Sequence, residues 1–276
     1  MSAAATARTS LVVASYNQPN ALALVLAGVA AQDLPIDEIA FADDGSEPDT
    51  LALVERFRAQ SKAKVLWTTQ EDRGFRKAKA LNNAIRATTG EIVLFLDGDC
   101  IPPRGWARMF VEALQRWDFA TAGYVLMDLE RTKARTVEEV ASGAIDRVIT
   151  TAERAEFASI HRKERLYKLL RKRKKPKILG GNWAARRAAL VKVNGFDERF
   201  DGFGKEDSDI RNRLQNSGCR GVSLWDRNWV YHCCHDVDPR RTLPSVVRRP
   251  GTDSYYPTRL DARDCELGLE QRGGTA

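Results

Sequence analysis

The chain has 276 residues, 43% hydrophobic and 29% charged, the balance of an ordinary globular protein, which excludes disorder along its whole length. A formal charge of +7, with a pI near 9.2, favours anionic partners: nucleotides, phospholipid headgroups, anionic glycans or nucleic acid. Five cysteines without regular spacing make a poor disulfide or zinc framework, and the first ten residues lack a secretory signal, so a reducing cytoplasm is the expectation.

In chain order, Ser10 to Ser15 reads as a buried strand and Pro19 to Ala31 as a helix whose apolar stretch is too short to span a bilayer. Glu38 to Asp43 predicts a second strand, Pro48 to Gln60 a helix, Lys64 to Thr68 a third strand and Lys77 to Ala87 a third helix. Ile92 to Leu96 is nearly all apolar, as expected of a central strand in a parallel sheet. Pro102 and Pro103 then restart the chain into a helix reaching about Trp117. Strand–helix alternation with short links predicts an α/β protein with a doubly wound, mostly parallel sheet. In such sheets the residues just after each strand face the ligand.

From Thr132 to Lys177 the pattern is long and helical, without strand signals. Within it, residues 162–177 hold ten Lys and Arg against one acid, Glu164. Two readings stay open: a solvated helix face, or contact with an anionic membrane surface or acceptor. A nucleic-acid partner is not expected, because Tyr167 is the single aromatic interleaved in the run.

Five constellations carry chemistry. Asp97-Gly98-Asp99-Cys100 follows the apolar strand directly, and carboxylates at a strand end suit a divalent cation, Mn²⁺ or Mg²⁺, bridging phosphate oxygens. Ser15-Tyr16-Asn17 and Asp43-Asp44-Gly45-Ser46 close the first two strands, where an aspartate can accept from a base and a tyrosine can stack on it. Gly202-Phe203-Gly204-Lys205-Glu206-Asp207 offers an aromatic platform for a sugar face, then two acids opening a helix to about Ser217. His232-Cys233-Cys234-His235 holds two of the chain's three histidines, either of which could complete a cation's coordination or be structural.

A strand ending Ala-Ser-Tyr-Asn, then Asp-Asp-Gly-Ser, then Gln70 to Arg76, then Phe-Leu-Asp-Gly-Asp-Cys resembles the nucleotide-binding half of family 2 glycosyltransferases, which have the GT-A fold. The resemblance implies that Tyr16 and Asp44 contact a uridine base beside Ser15, that Asp97 lies near donor ribose and phosphate, and that Asp99 binds the metal. The stretch from Gly74 to Asn83 is similar to donor-contacting segments of chondroitin-polymerase and polypeptide N-acetylgalactosaminyltransferase relatives, which adds Asp72, Arg76 and Lys79. Gly180-Gly181-Asn182-Trp183, Val193 to Glu198 and Gly202 to Asp209 resemble the carboxyl-terminal signature of galactosyltransferases. By that resemblance Gly181, Asn182 and Phe203 join the donor site, Asp207 is the general base with Glu206 beside it, and His235 joins the metal. His232 falls where relatives vary. Many galactosyltransferases have Trp where this chain has Phe203, which leaves the sugar open.

The expected organisation is a nucleotide-sugar-binding half over 1–127, a basic helical insertion over 128–177, an acceptor-binding and catalytic half over 178–238 and a tail over 239–276. The expected function is inverting transfer of a sugar from UDP to a glycan or lipid-linked acceptor, in the cytoplasm or at the inner face of the membrane. A nucleotidyltransferase would need a Gly-rich, basic phosphate loop that Ser15 to Ala21 does not offer. A non-catalytic binding module on a transferase scaffold is the alternative from another class, against which the intact acids speak.

Overall fold

The computed structural model describes residues 7–170, 175–235 and 261–272. The chain opens with β1 (Thr9–Ser15), α1 (Pro19–Ala30), β2 (Glu38–Asp43), α2 (Pro48–Gln60), β3 (Lys64–Thr68), α3 (Lys77–Ala87) and β4 (Ile92–Asp97). Four of these, β2, α2, β3 and α3, begin and end at the residues their sequence predicts. Next come β5 (Cys100–Ile101), α4 (Trp106–Ala113), β6 (Phe119–Thr121) and β7 (Gly123–Leu126). The helix expected from Pro102 is shorter, because the chain turns through the prolines first and the Trp106 N–H bonds the Pro103 carbonyl.

Residues 129–169 form α5 (Leu129–Lys133), α6 (Val137–Ser142), a 3-10 turn (Ala144–Arg147) and α7 (Thr151–Leu169). Asp128 and Thr136 cap the first two, each accepting a backbone N–H on its side-chain oxygen. The basic run is thus partly on α7, where Arg162, Lys163 and Arg165 are exposed, while Arg171 to Lys174 lie outside the described residues. The single acid, Glu164, is buried against Lys175 at 3.5 Å and accepts the Lys177 N–H at 3.4 Å. No helix among the described residues is long and apolar enough to cross a membrane.

The remainder gives β8 (Asn182–Arg186), α8 (Arg187–Lys192), α9 (Glu206–Asn216), β9 (Gly221–Ser223) and β10 (Trp229–His232). The main sheet has the order β3-β2-β1-β4-β8-β6-β9, with β4 at its centre. β1 to β4 run parallel, and β8 is inserted antiparallel between β4 and β6. The two expected halves therefore share one sheet. Strand alternation sends Leu11, Val13, Leu94 and Leu96 into a core beneath α1, α2 and α4, and Val12, Val93 and Phe95 into another beneath α3, α8 and α9. In the second core Phe95 stacks on Trp183 with ring centres 4.2 Å apart, a pairing that adds about 0.5–1.5 kcal/mol to simple burial. All five cysteines are free.

Of the expected tail, residues 239–260 and 273–276 lie outside the described residues. Residues 261–272 brace the turn between α8 and α9. Asn194 Nδ2 donates to the Cys265 and Glu270 carbonyls at 2.8 Å each, and the Glu270 N–H returns to Asn194 Oδ1 at 2.8 Å.

Candidate active site

The carboxyl ends of β1, β2 and β4 open onto a cleft lined by Ser15, Tyr16, Gln18, Asp44, Phe75, Lys77, Asp97 and Asp99, among others. Its floor is set by backbone bonds that leave the side chains available. The Gly98 N–H donates to the Ala14 carbonyl at 2.8 Å and the Asp44 N–H to the Ser15 carbonyl at 3.1 Å. Asp43 has a framework role, accepting from Ser15, Gly45, Ser46 and Thr69. Asp44 projects into the cleft, where Oδ2 accepts the Arg76 N–H at 2.8 Å and Oδ1 the Gln70 amide at 2.6 Å. The Tyr16 hydroxyl donates to Asp72 Oδ2 at 2.8 Å, closing one wall.

The small sheet brings the histidines in. β10 pairs antiparallel with β5 so that His232 stands opposite Cys100, and the Cys233 N–H donates to the Asp99 carbonyl at 2.9 Å. His235 Nε2 lies 2.9 Å from Asp99 Oδ2, and His232 Nε2 lies 3.6 Å from the same oxygen. Burial works against the Asp99 charge. The bond with His235, the charge of His232 and the Cys100 thiol, which donates to Oδ1 at 3.2 Å, outweigh it and hold the carboxyl well below its usual range. One carboxylate oxygen and two imidazole nitrogens, converging within 4.8 Å, form a candidate cation site. This donor set fits manganese better than magnesium, which keeps a shell of oxygens.

A second cluster adjoins it. Lys77 Nζ lies 2.5 Å from Asp97 Oδ1, and although burial opposes its charge, Asp97, Asp207 and Glu206 hold its pKa above the usual lysine range. The Gly180 N–H donates to Asp207 Oδ2 at 2.7 Å. The Asp207 carboxyl is pushed up to about 8, first by burial and then by Glu206, with Lys77 and the Gly180 N–H pulling the other way. Gly181 packs so closely on Asp97 that a Cβ would sit 2.2 Å from its Cγ, so no side chain fits there. Tyr124 on β7 donates its hydroxyl to the Leu179 carbonyl, tethering this loop.

The structure thus gathers Ser15, Tyr16, Asp44, Asp97, Asp99, Gly181, His235 and Asp207 around one cleft, with Glu206 buried beside Asp207. Asp72 and Arg76 stand at its rim, the Arg76 guanidinium on the Glu71 carbonyl. Phe203 is half exposed and packs edge-on to Phe75 at 5.6 Å. Two residues of the expected set stand away from the cleft lining. Asn182 is buried within the framework, accepting from Trp106 Nε1 at 2.8 Å and donating to the Gly123 carbonyl at 2.6 Å. Lys79 is exposed, and the lysine that lines the cleft is Lys77. Helical spacing carries that signal, since 77, 81 and 84 share a stripe with the buried Leu81 and Ala84, whereas 79 falls on the opposite side. His232, left open in the sequence, belongs with His235.

A family model described as Glycosyl transferase family 2 matches residues 10–194, and one described as N-terminal domain of galactosyltransferase matches residues 161–236. Chondroitin synthase from Escherichia coli is 25% identical over 224 residues, which cover 76% of this chain and 32% of that protein. The chain therefore spans about a third of the length of that curated relative. Among solved structures, Staphylococcus aureus TarS 1-349 in complex with UDP-GlcNAc superposes with a TM-score of 0.60 at 19% identity, covering 86% of this chain and 61% of that one. The mannosyltransferase PcManGT from Pyrobaculum calidifontis, in complex with GDP-Man and Mn²⁺, gives a TM-score of 0.57 at 21% identity, covering 83% and 58%. At such identities these structures show the fold, which is that of the GT-A transferases.

Proposed function

The chain belongs to glycosyl transferase family 2, and from that premise we propose that it is an inverting glycosyltransferase. It moves a sugar from a UDP-sugar to a hydroxyl of a glycan or lipid-linked acceptor in surface polysaccharide synthesis. The observation that carries this reading is the pairing, across one cleft, of an ionised acid–histidine cluster at Asp99 with an acid of raised proton affinity at Asp207, bridged by Lys77 and Asp97. The two acids suit opposite tasks.

The base and ribose of the donor lie along Ser15, Tyr16, Asp44 and Asp72, with Arg76 at the rim and the backbone of Gly181 beneath the phosphates. Mn²⁺ held by Asp99, His235 and His232 would act as a Lewis acid on the departing diphosphate. Asp207 takes the proton of the attacking hydroxyl, and a base with a raised pKa matches that work. Phe203 offers its ring to the donor sugar and Glu206 stands beside the base, so the acceptor-binding and catalytic half is 178–238 and the donor half 1–127. Two observed features, the exposed cations of α7 and the leucines at its end, Leu166, Leu169 and Leu170, support peripheral contact of 162–177 with an anionic membrane.

Calorimetric titration of UDP with Mn²⁺, and again with EDTA, tests the reading. Binding should depend on metal in the wild-type chain and lose that dependence in Asp99→Ala. Equal affinity in all four combinations would overturn the metal role, and no binding in any would overturn the donor.

A further inference from the structure

Asn17 and Gln18 follow β1 with left-handed backbones, at φ 51° and 59°, a conformation that residues with a Cβ adopt rarely. Their neighbours hold them there. The Asn17 N–H donates to Ser46 Oγ at 2.8 Å, and Asn17 Oδ1 accepts the Glu47 N–H at 2.9 Å. The Gln18 carbonyl accepts the Leu22 N–H at 3.1 Å, starting α1, while its side chain caps nothing. That side chain reaches into the cleft instead, where Nε2 lies 3.1 Å from His235 Nδ1. The other ring nitrogen of His235 faces Asp99 Oδ2 at 2.9 Å.

The tautomer of His235 sets which group donates in each of these two contacts. With the amide NH₂ donating to Nδ1, the ring proton sits on Nε2 and donates to Asp99. A cation at Nε2 requires the opposite arrangement, a lone pair on Nε2 and an N–H at Nδ1, and ligating histidines are held by an acceptor on that second nitrogen. A glutamine can meet both needs, because a half-turn of its terminal amide exchanges NH₂ for oxygen.

Resting on the metal reading above, we propose that Gln18 is the positioning residue for His235. Its amide aims the imidazole at Asp99 and serves either tautomer, so that the same ring is held before and after a divalent cation enters. The costly backbone at Gln18 is what delivers the amide to that spot.

The test is Mn²⁺ binding to the full chain, read from the electron paramagnetic resonance signal of the free ion, with a thermal melt of each variant. Gln18→Met keeps the length but removes both polar groups, and should weaken Mn²⁺ by about 10- to 100-fold. Gln18→Glu, which offers an acceptor to Nδ1–H, should stay close to the wild-type affinity. Gln18→Asn suits a left-handed backbone better but is one methylene short, so it should hold its Tm and still lose Mn²⁺. If Asp99→Asn binds Mn²⁺ as tightly as the wild type, the metal reading itself fails. If Asp99→Asn loosens the ion while Gln18→Met does not, or Gln18→Glu loosens it as much as Gln18→Met, the metal site stands and the role of Gln18 is wrong.

Discussion

At the amino-terminal edge of the main sheet, Glu38 opens β2 with 2% of its surface exposed, and at the opposite edge the half-buried Asp207 lies beside Asp97. Glu38 accepts from Ser10 Oγ at 2.7 Å, the Thr89 N–H at 2.7 Å, Thr89 Oγ1 at 2.9 Å and the Gly90 N–H at 3.2 Å. Burial opposes its charge, but those four donors outweigh it and pull the carboxyl down to about 2. Asp207 accepts one backbone N–H, faces Glu206 and Asp97, and has its carboxyl raised to about 8. The two carboxyls move in opposite directions because Glu38 gathers four donors, whereas Asp207 has one backbone donor against desolvation and two neighbouring acids. The first acid fastens the fold, and the second is kept where a proton can be exchanged.

The largest effect expected from this contrast is at Asp207. Asp207→Asn should lower kcat by about 10²- to 10⁴-fold while leaving UDP affinity close to normal, as read from steady-state rates and calorimetry. Wild-type turnover in that variant would remove the base assignment. The same acid sets a pH limb, with kcat/KM rising as pH passes through about 8. Stability runs the other way. A folded pKa raised above the unfolded value contributes stability that is complete below the ordinary carboxylate pKa and lost as pH rises through about 8. Asp207→Asn should therefore melt higher than the wild type at pH 9, and a lower Tm there would break the comparison.

Next comes Lys77, the cation that restrains Asp207. Lys77→Met should move the alkaline limb upward by about one unit or more, seen in a pH–rate profile, because an opposite charge at this range is worth that much. Smaller in rate but measurable in stability, Glu38→Gln should cost about 1–3 kcal/mol and leave kcat unchanged. Its signature is in acid. The Glu38 contribution is present above the ordinary glutamate pKa and lost as pH falls towards about 2, so the melting curves of variant and wild type should converge at low pH. The smallest effect belongs to Lys79→Met, expected within about 0.5 kcal/mol and with an unmoved pH profile. A shift there as large as at Lys77 would refute the assignment of the site lysine.

Much of the donor half was legible because each element from β1 to β4 is long enough to show its period, and each strand ends in a polar motif that the sheet carries to one edge. The pieces that complete the site were not. β5 has two residues and β6 and β9 three each, too few for any alternation to appear. β8 reads as glycine-flanked and aromatic, and its antiparallel place is dictated by partners distant in sequence. Asn182 enters the expected donor site through its resemblance to the galactosyltransferase signature, but its amide is complementary to Trp106 and Gly123 in a way that only tertiary structure reveals. Gln18 gave no signal at all, since its partner lies 217 residues along the chain.

The position of β8 has a consequence for how the chain is made. Residues 182–186 fill the gap between β4 and β6, so a growing chain that has delivered every earlier strand still presents two open hydrogen-bonding edges at the middle of its sheet. Open edges of this kind invite pairing with other chains, and here they persist for the whole synthesis of the helical stretch between β7 and β8. The gap closes when β8 arrives behind the glycine that meets Asp97, while Asp207 on α9 and the edge strand β9 are still to be made, so the two acids meet only after it has closed.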